Sequence, residues 1–232
     1  MTKTRDAVLP CEELRNILLR SFAPCSAFRN NCASMRWLPQ VGHVPRGFLG
    51  ATGRPSEVRL ILVVAEPGDP HPPEPDRRYG IERYAPGTSR GELLKSVCWY
   101  TYTCFRDRKD LFHKNVRSIL DACWPDLTFD KQLRRTWITE SVLCSARVEG
   151  GNVPAIVTTT CGNLYLKREL DVLNDAVVVA LGNKARDRLA RLGLDRPYLS
   201  VGSAAPPGCN QTRVRESWKA ICKAVRSRMA SR

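Results

Sequence analysis

Long apolar runs are missing from this sequence: across 232 residues no unbroken apolar stretch exceeds Leu60 to Ala65 in length. A bilayer-crossing helix needs about 20 such residues, so no membrane partner is expected. The first residues, Met1-Thr-Lys-Thr-Arg-Asp, lead into no signal-type apolar segment, and the expected location is cytoplasmic, nucleoid-associated if the source is bacterial. No internal repeat is evident, which sets solenoids aside. With 43% apolar and 26% charged residues, disordered and fibrous classes are excluded as well. Histidine is scarce, limited to His43, His71 and His113.

Cysteine is not scarce. Ten are scattered along the chain, and with no signal-type segment reduced thiols or metal ligands are expected ahead of disulfides. Lys and Arg outnumber Asp and Glu by 37 to 23, and between Lys184 and Arg232 the ratio is 12 to 3. A polyanion is the natural partner for such a tail, nucleic acid ahead of a membrane surface. A basic solubilising face would have the same composition.

Four short β-type runs recur, at Val58–Ala65, Thr136–Leu143, Ala176–Leu181 and Pro197–Gly202. The first and third are nearly continuous hydrophobic strands, a pattern that implies burial on both faces under covering helices. Helical spacing links Leu93, Val97 and Tyr100; Val116, Ile119 and Cys123; and Leu164, Leu170 and Leu173. It is clearest in Val214, Trp218, Ile221, Val225 and Met229, with Arg215, Lys219, Lys223 and Arg226 between them. The expected fold is a three-layer αβα sandwich around a central four-stranded, mainly parallel sheet. It would form one domain, residues 1–57 being an N-terminal arm and 58–232 the α/β core.

The first strand ends in Ala65-Glu66-Pro67-Gly68-Asp69, two carboxylates around a Pro-Gly turn. It lies at the sheet edge where open α/β folds bind ligands. Turn formers alone would give a surface turn; the order of the downstream segments argues for more. Gly87-Thr-Ser-Arg-Gly-Glu-Leu-Leu94, Ile138-Thr-Glu-Ser-Val-Leu-Cys144, Gly151-Asn-Val-Pro154, Cys161 with Tyr165-Leu, and Val177-Val-Val-Ala-Leu-Gly182 succeed one another. From Val58 to Gly182 this series resembles the uracil-DNA glycosylase superfamily, most closely its iron-sulfur branch. That branch runs G-E-A-P-G, a G-R-A-G-x-L-L helix start, an N-V-V-K-C segment, a second Cys with a Y-L helix, V-I-V-A-L-G, and an H-P-S loop.

The resemblance implies excision of uracil from DNA by hydrolysis of the N-glycosidic bond, leaving an abasic site, by a monomer without a nucleotide cofactor. Glu66 is the implied catalytic carboxylate, with Asp69 in reserve and His71 a distant third. Ala65, Pro67, Gly68, Glu140 and Ser141 are implied around the base. Tyr84, or else Tyr79, is implied as the stacking aromatic. The closing loop Val201–Asn210 implies DNA contacts from Ser203, Gly208 and Asn210, followed by Arg213. Cys144 and Cys161 fall where the branch keeps two ligands of a structural 4Fe-4S cluster, and Cys25 and Cys32 stand in for its N-terminal C-x-x-C, with Cys11 as reserve. Cys98, Cys104, Cys123 and Cys222 are expected in the core.

Departures from the pattern bear on the chemistry. Ala65 occupies the place of the branch's Glu, and Glu66 the place of another branch's water-orienting Asp. Glu140 stands where the superfamily reads uracil with Asn; a carboxylate accepts from N3–H but cannot donate to O4. No His is present in the closing loop or near it in sequence, so either another donor takes over, for which the loop amides of Gly202, Ser203 and Gly208 are candidates, or the activity is weakened. Two other functions stay open: a nucleic-acid-binding member with weakened catalysis, and a glycosylase for another deaminated base.

Overall fold

A computed structural model of the chain describes residues 4–22, 24–70, 84–85 and 87–230. His71 and Tyr79 lie outside them. In chain order the elements are α1 (Glu12–Leu18), β1 (Leu49–Gly50), β2 (Leu60–Val64), α2 (Arg90–Arg106), α3 (Leu111–Cys123), α4 (Phe129–Arg135) and β3 (Thr136–Glu140). They continue with α5 (Ala155–Cys161), α6 (Lys167–Val172), β4 (Val177–Leu181), α7 (Asn183–Leu192), β5 (Tyr198–Val201), α8 (Thr212–Ser217) and α9 (Lys219–Ala230).

The sheet has five strands in the order β1-β3-β2-β4-β5, not four. β2, β3, β4 and β5 are parallel, with Leu62 beside Ile138 and Val179. The added strand is β1, two residues antiparallel to β3 at the edge, too short to leave an alternation in the sequence. Every residue of β2 and β3 is buried, the outcome expected of hydrophobic runs covered on both faces. α2, α3 and α9 pack on one side, and α1, α5, α6 and α7 form the other layer.

The chain leaves β2 toward β3 on one side and β4 toward β5 on the other, so the topological switch falls between the carboxyl ends of β2 and β4. A capping box starts α2: Ser89 Oγ accepts from Glu92 N at 3.2 Å and Glu92 Oε2 accepts from Ser89 N at 3.0 Å. The amphipathic C-terminus is two helices, breaking at Trp218. Trp218, Ile221 and Val225 are buried, while Met229 is exposed. Cys123 and Cys222 form a disulfide where free core thiols were expected. α3 and α9 pack side by side and bring the two Cα atoms to 4.7 Å. Cys98 and Cys104 are buried free thiols. Among the described residues no helix is long and apolar enough to cross a membrane.

Candidate active site

At the switch point lies a cavity of about 290 Å³. Its wall includes the whole turn from Val64 to Asp69, Leu181 at the end of β4, Glu140 at the end of β3, and Ser203–Ala205 of the closing loop. Ala65, Glu66, Pro67, Gly68, Asp69, Glu140 and Ser203 are thus brought together as the sequence implied. Ser141 sits just behind: its Oγ donates to Ala65 O at 2.6 Å, and its N donates to Val64 O at 2.9 Å.

The two carboxylates of the turn have different surroundings. Glu66 is 5% exposed and paired twice to α7, Oε1 with Lys184 Nζ at 2.7 Å and Oε2 with Arg188 at 2.5 Å. Lys184 also donates to the carbonyls of Gly150 and Gly151, and Arg188 to Ala65 O and Ser141 Oγ. Glu66 therefore ties the turn to α7. Asp69 is 42% exposed and, among the described residues, pairs with Arg36 through Oδ1 at 3.0 Å; its N donates to Glu149 Oε1. Arg46, 4% exposed, donates to the carbonyls of Gly68, Val44 and Gly42 and holds the turn from beneath.

Four implied positions lie elsewhere. Tyr84 is buried in a separate groove with Trp37, Pro39 and Leu93. It precedes α2 and is no part of the cavity wall, where the aromatic lining comes instead from Tyr100 and Phe105 of α2 and Phe112 of α3. Gly208 is packed on Ser203, where an added Cβ would meet Ser203 Cβ at 3.0 Å. Asn210 and Arg213 are exposed and outside the cavity wall. Four of the loop amides are spent within the fold. The N–H of Gly202 donates to Ser217 Oγ, that of Ala205 to Ser203 Oγ, and those of Cys209 and Asn210 to the carbonyls of Ala205 and Pro207. Asn115 Nδ2 and Trp218 Nε1 hold the Ala204 and Gly202 carbonyls, so the loop is pinned.

A histidine does reach this loop in space. His113, in the first turn of α3, lines the cavity with Ser203–Ala205. Its ring lies between Phe105 and Phe112, at centroid distances of 4.6 and 5.3 Å. Nδ1 is 2.8 Å from Asp110 Oδ1, off the axis of a straight hydrogen bond. Asp110 also caps α3 by accepting from His113 N at 3.0 Å. The available signal was a helix start, Asp110-Leu-Phe-His113; sequence separation from the loop hid it.

A second, small cavity lies across the segment that follows β3. Cys25, Cys32, Cys144 and Cys161 all line it, with apolar walls from Met35 and Leu164. Cys11 is not among them; it precedes α1, with its N bonded to Ala51 O. Burial pushes the Cys161 thiol up to about 12 and the Cys32 thiol up to about 11. Cys144 is raised first by burial and then by its three sulfur neighbours. Leu143 N donates to Cys161 Sγ at 3.5 Å, an N–H···S bond of the kind that tunes iron-sulfur centres. Among the described residues no three His, Cys, Asp or Glu side chains could share one metal ion. In a four-iron cluster each thiolate takes its own iron, and four convergent thiols in an apolar pocket fit that donor set.

A scan against protein-family models and a search of curated proteins each return no match. The functional reading therefore stands on the site.

Proposed function

We propose that this protein is a DNA glycosylase that hydrolyses the N-glycosidic bond of deoxyuridine in DNA and releases uracil. One observation carries the reading: the Glu66–Asp69 turn, Glu140 and the closing loop, far apart in sequence, wall a single cavity at the switch point.

Cleaving this bond builds positive charge on the sugar and negative charge on the departing base, so the site needs a carboxylate for the first and donors for the second. Asp69, with Oδ2 free of partners among the described residues, is the carboxylate best able to orient water or face the sugar. Glu66, neutralised by two cations, is the positioning residue that fixes the turn. His113, steadied by Asp110, supplies the donor for the base oxygen, an interaction whose removal typically costs about 3 kcal/mol of transition-state stabilisation. Phe105 and Phe112 offer the π-faces that an extruded base needs. Arg213, Arg215, Lys219, Lys223 and Arg226 are exposed on α8, α9 and the turn between them, a basic surface suited to phosphates.

Cys25, Cys32, Cys144 and Cys161 would hold a 4Fe-4S cluster whose contribution is structural, tying the N-terminal arm to the segment after β3. Freshly purified protein is then brown, and Cys161→Ala bleaches it while Cys98→Ala does not.

The test is single-turnover excision from a uracil-containing oligonucleotide, read as alkali-labile cleavage. Asp69→Asn and His113→Ala should each slow it about tenfold or more with DNA affinity little changed. Glu66→Gln run beside them decides between the two carboxylates. The full ion pairing of Glu66 favours a second reading, a binding protein with weakened catalysis; retained DNA binding with no excision by the wild type would establish it against ours.

A further inference from the structure

Glu140 ends β3 inside the cavity wall and is 6% exposed. Its Oε2 has no hydrogen-bond partner among the described residues. The charged groups facing it are Glu66 from the turn after β2, Arg188 from α7 and Arg46 from the segment before β1. Asp69, Glu149, Asp110, His113 and Tyr100 line the same cavity. Neither guanidinium is spent on Glu140: Arg188 bonds Ala65 O, Ser141 Oγ and Glu66, and Arg46 bonds backbone carbonyls. Gly47, at φ +89°, leaves room for this acid; a Cβ there would lie 2.4 Å from Glu140 Oε1.

A buried carboxyl with a second carboxylate beside it, and with no hydrogen bond among the described residues to the Arg188 and Arg46 guanidiniums that pull the other way, resists ionisation. Burial first, then the negative charge of Glu66, pushes Glu140 well above the ordinary carboxylate range. A neutral carboxyl differs from a carboxylate in what it offers, one O–H donor next to one carbonyl acceptor. That is the pair an asparagine amide presents.

We propose that the Glu140 carboxyl reads the lactam edge of the excised base as a donor–acceptor pair, its carbonyl oxygen accepting from the ring N–H and its hydroxyl donating to the adjacent ring carbonyl. The ligand class is a base bearing an N–H beside a C=O, of which uracil is one; the inference rests on the glycosylase reading above. It removes the objection that an acid in this position cannot donate. It also makes base binding sensitive to alkali, since loss of the proton leaves two acceptors facing a carbonyl.

Two measurements on the full-length protein test it. Infrared difference spectra of wild type against Glu140→Gln should contain a protonated-carboxyl carbonyl band that the substitution removes. Calorimetric titration with free uracil from mildly acidic to alkaline pH should give wild-type affinity that falls as pH rises. Glu140→Gln, whose amide keeps donor and acceptor, should bind on the order of tenfold or more tighter than Glu140→Ala and lose the alkaline fall. N3-methyluracil should bind neither wild type nor the Gln variant. Absence of the band, or a fall in affinity that persists in Glu140→Gln below the pH at which uracil itself loses its ring proton, overturns the proposal. If the wild type excises uracil while those results fail, only this inference falls; if the wild type neither binds nor excises uracil, the glycosylase reading falls and takes this one with it.

Discussion

Two buried carboxyl groups flank the same strand, and their surroundings differ in one respect. Alternation along β3 turns Trp137 and Thr139 to the face beneath α6 and Ile138 and Glu140 to the other. Glu169 of α6 is 0% exposed and accepts from Trp137 Nε1 at 3.0 Å. Burial pushes it from the ordinary 4.5 up to about 7, with the Trp137 bond working against the rise. Glu140, 6% exposed, shares with Glu169 one buried oxygen that has no partner among the described residues, but it receives no such donor and borders a cavity shared with Glu66. Burial alone therefore does not mark a site. What separates a structural acid from one available to a ligand is whether the fold itself has supplied its partner.

The comparison breaks most visibly at Glu169. Glu169→Ala strands Trp137 Nε1 and opens a hole in the core, and should cost about 3 to 5 kcal/mol in chemical denaturation. Arg188→Met, which leaves Glu66 with one cation in place of two, should cost about 3 kcal/mol by the same measurement. Glu169→Gln sharpens the contrast through pH. An acid whose native pKa is raised stabilises the fold fully below its unfolded value and loses that contribution as pH rises through the native one. Wild-type stability should therefore fall between pH 4.5 and about 7, and the Gln variant should flatten this by about 3 kcal/mol. Glu140→Gln should act in the same direction, because burial and Glu66 raise this carboxyl too: the variant gains on the wild type as pH rises, and base binding changes with it. Lys184→Met should be smallest, under about 1 kcal/mol, because the lysine is 44% exposed and solvent screens the pair.

Much of the sheet was legible because two of its central strands, Leu60–Val64 and Val177–Leu181, are uninterrupted hydrophobic runs. Leu49–Gly50 was not, since two residues carry no period. The turn at Glu66 and the four cysteines were singled out by a family resemblance carried on the order of motifs, which survives in a linear chain, and they line two cavities. Tyr84 and His113 could not. Which aromatic or imidazole faces a cavity depends on how α2 and α3 lie on the sheet, and an N-capping Asp110 announces a helix start without saying what that helix covers. The freedom of the closing loop was misjudged for a related reason. Its glycines suggested freedom, whereas Asn115, Ser217 and Trp218 from two other helices and the turn after one of them fix its backbone.

Gly47 carries a consequence for recognising other chains of this kind. With φ at +89° and Glu140 Oε1 where its Cβ would stand, the glycine and the acid are two halves of one fingerprint. A chain that keeps glutamate at the end of this strand has to keep glycine at the crossing point. Finding that pair in another α/β protein, with a Glu-Pro-Gly-Asp turn on the neighbouring strand, would mark the same buried-acid arrangement where the remainder of the sequence has drifted beyond comparison.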